Sequence, residues 1–342
     1  MKKLTFLLIL TCFLFSCQNT RQKSTVESSD NNNDVYNGPI IDVHIHAVNK
    51  GDPQIGMEYN NPKTGQHYLG SESAEKHLEE TLAKFRKLNI VKAVVTPYLD
   101  IQKGSPTEEW YDYVPETVLM GVPSSEYLMG IPASEFVSID TLRKRHAEGK
   151  LQVMAEMAPM YGGVLPTDER VTPYFDLAEE LGIPVGFHML PGGPPGAPYT
   201  FAPKLRAVQS KPLQFEEILI AHPKMKIYIM HAGWPYLEDM KALMYAHPQV
   251  YVDTGVIDWL LPTKEFHAYL KALVDAGFGD RIMYGSDQMI WVDAIDDAIK
   301  AINSADFLTL EQKADIFYNN AATFFGLSDE EVKKHHEIVQ EG

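Results

Sequence analysis

The chain has 342 residues, 45% of them hydrophobic and 22% charged, which is enough apolar material for one large core. Its formal net charge of −16 argues against a nucleic acid partner, because duplex binding needs a basic footprint. Its two cysteines, Cys12 and Cys17, both lie near the start, so the folded part has no thiol for a disulfide or a metal.

Lys2 and Lys3 form a short basic start, and Leu4 to Phe15 is an apolar run too short to span a membrane. Residues 1–16 therefore read as a signal peptide. The following Leu14-Phe15-Ser16-Cys17 looks like a bacterial lipobox, with cleavage before Cys17 and lipidation of its sulfur. Residues 17–38 are polar, rich in Ser, Asn and Asp, and read as a disordered tether. The expected location is that of an exported bacterial lipoprotein, anchored to a membrane through Cys17 and facing the periplasm or the cell exterior.

From residue 39 to 342, short apolar runs alternate with amphipathic helical stretches, which predicts α/β architecture with a parallel sheet. Strands are expected at 40–46, 91–97, 126–132, 151–157, 183–189, 226–231, 249–255 and 280–286. Eight is the strand count of a (β/α)8 TIM barrel, here a distorted one in a single catalytic domain. Helices are expected at 72–88, 138–148, 173–181, 212–221, 235–246, 263–276, 293–303 and 309–325. Ile101 to Ser125 reads as an irregular insertion. His222 and His247 each precede a proline on a turn before a strand, and they read as surface turn residues.

The first strand carries the most informative motif, Asp42-Val43-His44-Ile45-His46. Alternation puts Asp42, His44 and His46 on one face, where two imidazoles can grip one metal ion. Polar residues end other strands too: Glu156 the fourth, His188 the fifth and His231 the sixth, with Asp287 just after the eighth. Barrel chemistry collects at these strand ends, and buried imidazoles and carboxylates are costly unless paired or metal-bound. Imidazole and carboxylate donors without thiols suit zinc, and iron or manganese less exclusively. Asp42 is expected either to orient an imidazole or to act as a buried hydrogen-bonding anchor.

Six stretches in order resemble the metal-dependent amidohydrolase superfamily, in the amidohydrolase-related branch that includes aminocarboxymuconate-semialdehyde decarboxylase-like enzymes. They are Asp42 to His46, Tyr174 to His188, Met230 to Gly233, Val250 to Gly255, Arg281 to Asp287 and Asn320 to Leu327. The resemblance implies that His44, His46, His188 and Asp287 hold a divalent metal, usually zinc, with one or two ions in all. It makes His231 either a ligand of a second metal or a stabiliser of the transition state. Glu156 matches a bridging carboxylate of two-metal relatives. The family's Gly-Glu pair stands here as Ala155-Glu156, and its Ser-Asp-Tyr-Pro run as Ser286-Asp287-Gln288-Met289.

The expected activity is metal-dependent hydrolysis. A metal-activated water attacks the carbonyl of an amide, ester or lactone in a small organic substrate, with Asp287 and His231 as catalytic residues. A metal-dependent non-oxidative decarboxylase of an aromatic or unsaturated acid is the second reading, and a ligand-binding lipoprotein without turnover the third. Trp234, Trp259 and Trp291 follow strand ends and are candidates for pocket walls. Residues 190–198, rich in Pro and Gly, suggest a rim beside the metal, with Lys204 and Arg206 just beyond as candidate holders of a substrate carboxylate.

Overall fold

The structure is a computed structural model that describes residues 35–97, 105–121, 137–193 and 195–341. The signal segment, Cys17 and the expected strand at 126–132 lie outside the described residues. The tether expected to run to residue 38 meets the barrel sooner. Tyr36 donates its backbone N–H to Asn303 (2.9 Å) and stacks on Phe317 at 5.5 Å between ring centroids. Among the described residues, no helix is long and apolar enough to cross a membrane.

The elements run in this order. Strand β1 (Ile40–Ala47) leads into a small hairpin, β2 (Glu58–Asn60) and β3 (His67–Leu69), then α1 (Ala74–Leu88) and β4 (Ile90–Pro97). Next come α2 (Pro106–Tyr113), β5 (Val118–Met120), α3 (Ile139–Ala147), β6 (Met154–Met157), α4 (Thr172–Leu181) and β7 (Val185–His188). Helix α5 (Glu216–Ala221), β8 (Ile227–Met230), α6 (Leu237–Ala246), β9 (Val250–Asp253), α7 (Ile257–Leu260), α8 (Thr263–Asp275) and β10 (Ile282–Met283) follow. The chain ends with α9 (Ala294–Asn303), α10 (Leu310–Ala314), a π turn, α11 (Asn320–Phe325) and α12 (Asp329–Glu341).

Parallel pairing gives the sheet orders β1-β4-β5 and β10-β9-β8-β7-β6. Gly121 bridges to Val153 in parallel, linking β5 to β6. At the other seam the Val43 N–H donates to the Tyr284 carbonyl at 3.0 Å. Eight parallel strands thus surround one axis as a distorted (β/α)8 barrel. All eight residues of β1 and of β4 are buried, as expected of strands covered on both faces.

Helix α1 illustrates how local sequence sets the frame. The Ser73 hydroxyl accepts the Lys76 N–H, and Asn89 ends the helix in the left-handed conformation. Ala74, His77, Leu78, Thr81 and Phe85 form its buried stripe.

The third barrel strand corrects the sequence reading. It is Val118–Met120, paired to Ala93–Val95, inside the stretch expected to be irregular. Three residues are too few for alternation to register, and α2 just before it is only eight residues long.

Candidate metal centre

The polar strand ends converge as the barrel geometry requires. His44 and His46 come from β1, Glu156 from β6, and His188 closes β7. His231 follows β8 directly, Asp253 ends β9, and Asp287 lies four residues past β10. All seven are at most 6% exposed. His231 and Asp287 sit in the left-handed region, with φ of 60° and 48°. Such conformations cost of order 1–3 kcal/mol each and persist where the surroundings over-determine them.

Glu156 stands at the centre. Its Oε2 lies 3.5 Å from His44 Nε2 and 3.4 Å from His46 Nε2. Asp287 Oδ1 completes this half, 3.5 Å from His44 Nε2 and 3.1 Å from His46 Nε2. The other oxygen, Oε1, meets His188 Nδ1 at 2.5 Å and His231 Nε2 at 3.5 Å, and these two ring nitrogens are 2.9 Å apart. The resemblance groups His188 with the β1 pair, but here it joins His231 on the far side of Glu156.

The outward nitrogens define the tautomers. His44 Nδ1 is 3.1 Å from Asp253 Oδ2, and His231 Nδ1 is 2.9 Å from the Gly255 carbonyl. Both partners are acceptors, so each Nδ1 carries the proton and each Nε2 faces inward with a lone pair. His46 Nδ1 contacts Thr96 Oγ1 at 2.9 Å, and that hydroxyl donates to the Ile45 carbonyl at 3.3 Å, which leaves it to accept. His188 is turned the other way. Its Nε2 lies 3.2 Å from the Leu190 carbonyl and 3.3 Å from the Tyr161 hydroxyl, so Nδ1 points inward.

Four imidazole lone pairs and two carboxylates therefore face one another. Such a set is stable only with positive charge among its members. In the metal-free chain, protons supply it. Burial pulls the His44 pKa down, but Asp287 and Asp253 outweigh burial and hold it well above the usual imidazole value. Burial pushes Glu156 up, but the charge and hydrogen bond of His188 outweigh it and hold the carboxylate well below its usual range. His44 Nε2 is fully buried and makes no hydrogen bond. A buried ring nitrogen without a hydrogen-bond partner, set among nitrogen and oxygen donors, fits a divalent cation. His44, His46 and Glu156 offer ligand atoms within 4.8 Å of one another, and so do Glu156, His188 and His231.

Sequence reasoning did not assign roles to Asp253, Thr96 or Tyr161. Asp253 fixes the His44 ring, and its Oδ1 also accepts the backbone N–H of His231 (2.8 Å) and of Gly255 (2.9 Å). Its place in Val250 to Gly255 was the available signal. Gly255 and Gly285 let the backbone come close, since a Cβ there would lie 2.6 Å from His44 Nδ1 and 2.8 Å from His44 Cβ. Asp42 takes the anchoring role and does not orient an imidazole. Its Oδ1 accepts the N–H groups of Ser286 (3.0 Å) and His44 (3.1 Å), and burial pushes its pKa up to about 7.

Two tryptophans expected in the pocket wall lie elsewhere. Trp259 donates to the Ser286 carbonyl at 2.7 Å and Trp291 to the Met57 carbonyl at 2.8 Å. With Tyr59 and Tyr68 they pack the β2–β3 hairpin onto the barrel, because indole N–H groups seek buried carbonyls. Arg206 spends its guanidinium on the Pro203 and Leu205 carbonyls, and it and Lys204 are exposed away from the cluster. Trp234 does line a cavity beside the site. His222 is buried against Asp176 and Glu179, and His247 near Glu216, both apart from the donors.

The amidohydrolase family matches residues 41–327. No curated protein sequence matches the chain. An uncharacterised TIM-barrel protein from Bordetella bronchiseptica superposes with a TM-score of 0.60 at 16% identity, covering 84% of this chain and 98% of that one. A probable 2-pyrone-4,6-dicarboxylic acid hydrolase from Acinetobacter baumannii gives 0.58 at 14%, covering 84% and 99%. A 5-carboxyvanillate decarboxylase from Novosphingobium aromaticivorans, solved with manganese, gives 0.54 at 13%, covering 88% and 100%. With the family match spanning nearly the whole barrel and the donor cluster at its strand ends, this chain belongs to the amidohydrolase family.

Proposed function

We propose that the chain is a metal-dependent hydrolase that cleaves an amide, ester or lactone carbonyl of a small organic substrate. The observation that carries this reading is Glu156, whose two oxygens face separate sets of donors. His44, His46 and Asp287 would hold one cation, His188 and His231 a second, with Glu156 between them. Bound there, a divalent cation lowers the pKa of water toward about 7 and polarises a carbonyl. We favour zinc. The manganese in the Novosphingobium decarboxylase keeps that ion in the test.

Asp287 also lines the cavity, so its carboxylate can take a proton from the attacking water and return it to the leaving group. His231 faces the same cavity, and by holding a cation there it would place positive charge beside the developing oxyanion. Asp253, Thr96 and Gly255 hold the rings in the orientations this requires.

Decarboxylation is the second reading, supported by neighbours such as the Novosphingobium enzyme. The experiment is elemental analysis of purified protein, followed by product analysis with esters, lactones, amides and hydroxybenzoates. Hydrolysis with two equivalents of metal is expected. Release of carbon dioxide from a benzoate with no hydrolysis of any carbonyl compound would overturn the proposal. We also propose that Cys17 anchors the mature protein to a membrane. Radiolabelled palmitate incorporation that survives in a Cys17→Ala variant would refute it.

A further inference from the structure

Resting on the hydrolase reading, we infer that the substrate carries an uncharged apolar flank, which lodges in a second chamber beyond Leu190. The chamber at the donor cluster is small, about 40 Å³, and Tyr161, Phe201, Val256 and Met289 join the ligands in lining it. A larger one of about 150 Å³ adjoins it, lined by Tyr59, Pro191, Trp234, Ile257, Leu260 and Leu261 among others. Leu190 lines both. The neighbouring pairs Gly192–Gly193 and Val256–Ile257 each contribute one residue to either side. The two chambers are therefore compartments of one cleft. The same Leu190 carbonyl contacts His188 Nε2, so the dividing residue is tied to the metal centre.

The lining of the larger chamber selects the class of substrate. Besides Lys63, which is exposed, and Asn61, whose amide donates to the Trp259 and Leu260 carbonyls, the larger chamber is lined by aliphatic, aromatic, proline and glycine residues. Burying an unpaired anion against such walls is costly, whereas burying methylenes is favourable. The cleft therefore fits an ester, lactone or amide with a compact reacting group and an apolar arm of a few carbons.

The test uses the metal-replete full chain. The 4-nitrophenyl esters of acetate, butyrate and hexanoate are compared with the hemisuccinate, which resembles the butyrate in length but is anionic. Catalytic efficiency is expected to rise about tenfold from acetate to hexanoate, and to fall about tenfold from butyrate to hemisuccinate. Leu260→Trp, which fills the larger chamber, should remove the gain with length. Calorimetry with 4-phenylbutan-2-one and butan-2-one gives a readout without turnover, and the phenyl ketone should bind at least about fivefold more tightly. Preference for the hemisuccinate would overturn the inference, as would equal binding of the two ketones or a gain with length that survives Leu260→Trp. If no ester, lactone or amide is cleaved, the hydrolase reading falls while the calorimetric preference still decides this one.

Discussion

The two halves of the donor cluster are held in different ways. On the β1 side, the outer nitrogens of His44 and His46 are held by side chains of other strands, Asp253 on β9 and Thr96 on β4. On the β7 and β8 side, His188 and His231 lean on loop groups, the Leu190 carbonyl, the Tyr161 hydroxyl and the Gly255 carbonyl. The first half is thus built into the barrel wall. The second is built into the loops that line the substrate chambers, so ring position and chamber shape are coupled there. Changes on the strand side should act on metal affinity and stability, and changes on the loop side on substrate binding.

The largest effect should come from Asp287, which belongs to the strand-side half and also faces the cavity. Asp287→Asn is expected to lower kcat by about 10²–10⁴-fold with the far-ultraviolet dichroism unchanged. Substantial activity in that variant would remove Asp287 from the proton path. Asp253→Asn breaks the strand-side support of His44, and competition with a chelator should show metal affinity lower by about 10–100-fold. If affinity were unchanged, the outer contact would have no bearing on the ligand.

A pH experiment probes the same half from behind. His77 is fully buried, its Nε2 lies 3.2 Å from Gln288 Oε1, and the Gln288 amide donates to the His46 carbonyl. Burial lowers the His77 pKa to about 4 from the ordinary 6.5. The fold thus keeps His77 neutral. The stability this carries is complete above pH 6.5 and is lost as pH falls toward 4, because the unfolded chain takes the proton first. Urea unfolding should show a loss from this group of about 2 kcal/mol between pH 7 and pH 5, absent in His77→Gln. An unchanged slope in that variant would assign the acid sensitivity elsewhere.

The smallest effect is expected on the loop side. The Tyr161 hydroxyl meets His188 Nε2 and accepts the Gly193 N–H at 3.1 Å, joining a ligand to the rim of the chamber. Tyr161→Phe should raise KM about threefold to tenfold while metal content stays constant. Loss of metal instead would show that the two halves are equally rigid.

Much of this was legible in the chain. Alternation in Asp42 to His46 shows two imidazoles on one face, and polar residues ending apolar runs mark Glu156, His188 and His231. The third strand was misplaced because three residues carry no usable period, and the apolar stretch at 126–132 offered a stronger local pattern. Trp259 and Trp291 follow strand ends as a pocket wall would. Their partners, the Ser286 and Met57 carbonyls, are set by the way the hairpin folds back.

Periodicity and residue type alone determined the barrel class, the identity of most donors and the absence of thiols from the folded part, because each depends on near neighbours in the chain. Only the tertiary structure decided that His188 joins His231 across Glu156, that Asp253 rather than Asp42 steadies His44 from 209 residues away, and that Leu190 divides the cleft. Those choices depend on which strand ends meet across the barrel and on how the loops fold over them, and local sequence pattern carries no record of either.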